Sequence, residues 1–117
     1  MGGPSGWDED GPGSRWRRGD GKEAVVVDWA AWTTVGIFSG SGGVLTDEMG
    51  AITGELSVHT TWAGGQADIT VQYVGAGDWF TLAGSPVPAA DEDTARDLHQ
   101  SAVEAVKRGG GAQAPQP

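Results

Sequence analysis

The chain contains no cysteine. Disulfides, thiolate catalysis and cysteine-bound zinc are excluded together. It contains no asparagine, and arginine outnumbers lysine five to two. With abundant Gly, Ala, Val and Asp, this is the bias expected of a high-GC bacterial genome. No apolar run approaches the ~18–20 residues that a membrane-spanning helix needs, so none is expected. The opening residues Met1-Gly-Gly-Pro-Ser-Gly-Trp-Asp-Glu-Asp10 lack a basic region followed by an apolar stretch. No secretory signal is expected there, and a cytoplasmic location is the resulting expectation.

Basic residues are scarce, 7 against 16 acidic ones, for a net charge of −9. Their distribution matters more than their number. Residues 1–22 balance Asp8, Glu9, Asp10 and Asp20 with Arg15, Arg17, Arg18 and Lys22. Residues 23–106 hold twelve carboxylates and a single base, Arg96, which gives a net −11. A field of that sign repels nucleic acid and anionic lipid, so neither nucleic acid nor membrane is an expected partner. It attracts a basic protein partner, and it also promotes solubility.

What is abundant is glycine, 21 residues, and tryptophan, six. Residues 1–22 hold seven Gly and two Pro with no apolar period. Such a segment buries too little to offset its ordering entropy, so a disordered N-terminal tail is expected. Within it Ser14-Arg-Trp-Arg-Arg18 has the composition of a short docking motif, and Arg18-Gly-Asp20 matches an adhesion tripeptide too short to carry weight. Gly109-Gly-Gly-Ala-Gln-Ala-Pro-Gln-Pro117 reads as a second flexible tail. The expected domain is therefore 23–108.

The clearest local pattern is a hairpin. Glu55–Trp62 and Ala67–Val74 both alternate apolar and polar residues around Gly64-Gly65. Two glycines meet the positive-φ demand of a tight hairpin turn. Pairing across that turn sets Leu56 opposite Tyr73, Val58 opposite Val71, Thr60 opposite Ile69 and Trp62 opposite Ala67. One face is then apolar, and a slip of one residue would destroy it. A further strand, 79–83, follows Gly75-Ala-Gly-Asp78. Face matching turns Phe80 and Leu82 toward the apolar side and leaves Trp79 and Thr81 on the polar side.

Asp91 or Asp93 is a suitable helix cap. Ala95, Leu98, Ala102, Ala105 and Val106 recur at helical spacing, with Lys107 and Arg108 in the last turn and Gly109 as the stop. His99 falls on the flank of this stripe. Ahead of the hairpin, 24–28 and 33–38 are strand-like, 29–32 fits strand or helix, 40–43 is a loop, and Thr46–Met49 has the look of a short helix start. The expected fold is α+β. An antiparallel sheet of about four strands (55–62, 67–74 and 79–83 plus one or two N-terminal strands) carries a C-terminal helix, about 92–108, on one face.

No motif concentrates chemistry. Phe38–Val44 is glycine-rich but lacks both the Lys of a phosphate loop and the spacing of a dinucleotide loop. Asp8-Glu-Asp10-Gly11 places Pro12 and Gly19 where a calcium loop needs ligands. Gly40-Ser-Gly42 does not complete a hydrolase elbow. His59 and His99 have no metal-binding spacing between them. No catalytic residue, metal or cofactor is expected. The candidate site is the polar sheet face carrying Glu55, His59, Asp68, Thr70, Gln72 and Trp79, beside Thr61 and Thr81. An aromatic among polar residues suits a protein contact. The alternative is a small-molecule or carbohydrate binder that uses Trp79 with Trp29 or Trp32. A competing arrangement packs Trp29 and Trp32 over Trp79 and closes the face.

Overall fold

The computed structural model describes residues 16–18, 25–27 and 29–116. The remainder of the expected N-terminal tail, including Trp7, Asp8–Asp10 and Gly19-Asp20, lies outside the described residues, as does Pro117. Trp16–Arg18 (β1) and Val25–Val27 (β2) pair as a small antiparallel ladder. This segment is therefore strand within the stretch read from composition as tail. Val25–Val27 supplies β-branched residues that favour such pairing.

The sheet is organised by Glu55–Ala63 (β6) and Gln66–Tyr73 (β7), which fix its register. Gly64 and Gly65 adopt φ of 61° and 80°, the geometry that joins two strands through a two-residue turn. Pairing runs from Leu56 opposite Tyr73 to Ala63 opposite Gln66, the register that the alternating pattern demands. Trp29–Phe38 (β3) pairs antiparallel along the other edge of β6, Trp29 opposite Ala63 and Phe38 opposite Glu55, with a bulge between Thr34 and Ile37. The ambiguous residues 29–32 thus continue a single ten-residue strand.

Beyond β7, Phe80–Thr81 (β8) and Val87–Pro88 (β9) share its far edge. The five-stranded antiparallel sheet is completed by these two short strands. Val71 faces Phe80 and Thr70 faces Thr81, so Leu82 turns inward and is fully buried. Val44–Thr46 (β4) and Gly50–Ile52 (β5) form a separate ladder. Asp47–Met49 is the turn between them, where the sequence suggests a short helix starting at Thr46. The Thr46 hydroxyl accepts from the Met49 N–H and donates to the Gly50 carbonyl, so the side chain closes a turn instead of capping a helix.

The helix, Glu92–Arg108 (α1), starts at Asp91, whose carboxylate accepts from the Thr94 N–H at 2.8 Å. Its stripe of Ala95, Leu98, Ala102, Val103 and Val106 packs on Leu56, Val58, Ile69, Val71 and Leu82. Alanine at 95 and 102 permits a close approach of helix and sheet. His99 belongs to this buried face and is only 3% exposed, not a flank residue.

The segment after Gly109 also departs from expectation. Instead of leaving as a tail, it turns back along the domain. Gly110 N–H donates to Ser41 O, Ala112 N–H to Gly43 O, Leu45 N–H to Ala112 O, and Ala114 N–H to Ala83 O. Ala114 is buried. The glycines that suggest disorder are needed here for contact. A Cβ on Gly109 would overlap the Gly40 backbone, and one on Gly40 would overlap the Arg108 carbonyl.

Candidate functional site

Two adjacent threonines on β3, Thr33 and Thr34, lie beside the segment His59-Thr60-Thr61 of β6. Strand alternation sends Thr33, His59 and Thr61 to the outer face and Thr34 and Thr60 to the face under α1. Each face then holds one histidine. On the outer face, Thr33 Oγ1 lies 2.7 Å from His59 Nδ1 and Thr61 Oγ1 lies 3.1 Å from Nε2. On the inner face, Thr60 Oγ1 lies 2.7 Å from His99 Nδ1 and Thr34 Oγ1 lies 2.9 Å from Nε2. A hydroxyl can donate or accept, so both nitrogens of a neutral imidazole are satisfied in each case.

The two rings differ in burial. Burial, with a smaller contribution from positive charge on His59, pushes His99 down from its ordinary 6.5 to about 4. His59 is lowered too, by burial alone. Trp32 stacks against His99 at 6.4 Å on the inner face. Trp79 meets His59 at 5.7 Å on the outer face, tilted by 56°.

The outer face therefore brings His59, Trp79, Thr70 and Gln72 together. Thr70 donates weakly to the His59 carbonyl, at 3.4 Å, and Gln72 sits opposite the buried Ser57. Glu55 and Asp68 lie near opposite ends. Glu55 pairs with Phe38, whereas Asp68 pairs with Thr61 six residues along the same strand, roughly 20 Å away. Both carboxylates are exposed.

Tryptophan placement separates the competing arrangements. Trp32 faces α1, and Trp29 sits opposite Ala63, whereas the β8 register sets Trp79 level with Gln72 and hence Ser57. Trp29 and Trp79 are roughly 20 Å apart along the strands. Neither packs over the other, and Trp79 remains 42% exposed.

One residue of this region escaped the sequence pattern. Glu48, on the β4–β5 turn, accepts from Thr81 N–H through Oε1 at 2.7 Å and from Thr81 Oγ1 through Oε2 at 2.8 Å. The backbone bond, reinforced by the hydroxyl, holds its carboxyl below the ordinary carboxylate range. Nothing local in the sequence announces this contact, because it depends on how a separate ladder meets β8.

A histidine bonded to a hydroxyl begins a nucleophile–base pair, but among the described residues no carboxylate hydrogen-bonds to His59 to orient it. Among the same residues no group of three His, Asp or Glu side chains could hold a metal ion, and no helix is long and apolar enough to cross a membrane. No family model, curated protein or solved structure matches this chain.

Proposed function

We propose that this domain is a non-catalytic protein-interaction module whose contact surface is the outer sheet face around Trp79, and whose partner is basic. The observation that carries this reading is Trp79 itself. Its indole is held against a histidine that two threonines immobilise, yet much of the ring stays open to solvent. A rigid aromatic loses little conformational entropy on binding and contributes large contact area. The surroundings supply the sign of the partner, since no Lys or Arg occurs between Lys22 and Arg96. That field steers a basic surface toward the face and disfavours nucleic acid and anionic lipid. A cytoplasmic setting is part of the same proposal.

Small-molecule or carbohydrate binding receives less support. A sugar platform built on two tryptophans needs them within reach of one ligand, whereas Trp29 lies far along the sheet and Trp32 is on the opposite face.

The reading is tested by capture from lysate on the immobilised chain, with wild type and Trp79→Ala compared across a salt series. It expects a basic protein that is released as salt rises and is retained poorly by the variant. Equal retention by both chains, independent of salt, would contradict it.

A further inference from the structure

We propose that the open side of Trp79, with the Glu48 carboxylate beside it, is a receptor for an arginine side chain of the basic partner. This rests on the reading above and names the chemistry at its centre.

Trp79 immediately precedes β8 and meets His59 on the outer face, the face to which Thr81 is also directed opposite Thr70, two residues along the chain. Thr81 fixes Glu48 through both carboxylate oxygens, which holds a negative charge at the residue two along from Trp79 without the entropy cost of ordering a free glutamate. Each oxygen keeps lone-pair capacity for a further donor. Asp78, exposed and adjacent in sequence, adds negative potential at the same corner.

His59 lies against the indole at 5.7 Å, its ring fixed from β3 by Thr33 and from its own strand by Thr61. Burial keeps that imidazole uncharged at neutral pH, so it does not repel an arriving cation. Arg96 and Lys107 lie on α1, across the sheet, and pair with Asp93 and Glu104.

An indole face beside a fixed carboxylate distinguishes arginine from lysine. A guanidinium can lie flat on the ring while its in-plane N–H groups reach the carboxylate. An ammonium is a compact, strongly hydrated point charge that cannot satisfy both demands equally well.

The test titrates the full chain with an oligo-arginine and an oligo-lysine peptide of equal length, near physiological ionic strength. The readouts are affinity and the indole N–H resonance of Trp79, assigned with Trp79→Phe. The expected result is tighter binding of the arginine peptide, a shifted Trp79 resonance, and a loss of roughly two- to five-fold in arginine affinity for Trp79→Leu. Glu48→Gln, an exposed and near-isosteric change, should lower arginine affinity and compress the preference over lysine. Equal affinity for the two peptides, or an arginine preference that survives both variants, overturns the receptor. If peptide binding shifts other outer-face residues and leaves Trp79 unmoved, the receptor fails while the interaction face stands. No binding of either peptide overturns both.

Discussion

His59 and His99 lie on opposite faces of one sheet, and each is bracketed by one threonine from Thr33-Thr34 and one from Thr60-Thr61. The same four hydroxyls thus fix Trp79's neighbour outside and anchor α1 inside. Because the outer ring bears on the proposed contact face and the inner ring on the core, one short polar seam would serve both recognition and stability.

The inner histidine makes folding acid-sensitive. Its partners are Thr34 of β3, Thr60 of β6 and the ring of Trp32, with the charge of His59 acting through the sheet. Its folded pKa of about 4 lies below the ordinary 6.5, so the unfolded chain takes up the proton first. The contribution of neutral His99 is complete above the unfolded value and is lost as pH falls toward 4, by about 2 kcal/mol between pH 7 and 5. Relief of acidic self-repulsion opposes this trend, so the comparison belongs between wild type and His99→Gln. Urea midpoints at the two pH values should fall more steeply for wild type. Parallel shifts would refute the assignment.

The return of the chain after α1 is part of the fold. Termination after Arg108 removes the backbone hydrogen bonds that Gly110, Gly111, Ala112 and Ala114 make with Ser41, Gly42, Gly43, Leu45 and Ala83, and uncovers the surface beneath Ala114. A loss of several kcal/mol is expected, on the order of 1 kcal/mol per bond. Gly109→Ala should be similarly costly, since φ is 73° and its methyl group meets the Gly40 backbone. Unchanged thermal stability of the shortened chain would show that residues 109–116 contribute nothing.

Glu48 should titrate below ordinary glutamates when followed by carboxyl resonances. In Thr81→Val the hydroxyl bond is gone and the stronger backbone bond remains, so the midpoint should rise part of the way. A midpoint that does not move would mean the hydroxyl plays no part in fixing the carboxylate.

Asp91→Ala should cost about 1 kcal/mol through loss of the bond to the Thr94 N–H. Chemical denaturation at neutral pH measures it. Asp93→Ala, which removes only an exposed pair with Arg96, should be near neutral.

Much of this architecture is legible in the sequence wherever one signal is backed by another. The Leu56–Tyr73 register follows from alternation plus two turn glycines, and α1 follows from a cap, a stripe and a stop. The outward position of Trp79 follows from face matching alone. What escaped depends on contacts between distant segments. His99 reads as a flank residue because a histidine on a helix is polar, and only the threonines at 34 and 60 make its burial affordable. The Gly109–Gln116 return looks flexible because local composition cannot distinguish glycine used for freedom from glycine used for close approach. Glu48 is invisible for the same reason, since its partner lies 33 residues away.

The most direct test of the central claim maps the contact surface by amide hydrogen exchange, with the chain free and bound to its captured basic partner. Added protection is expected on β7 and β8 and at Trp79 beside them, around Thr70, Gln72 and Thr81. Protection confined to the outer side of α1 or to the β3 edge, with Trp79 and its neighbours unchanged, would contradict it.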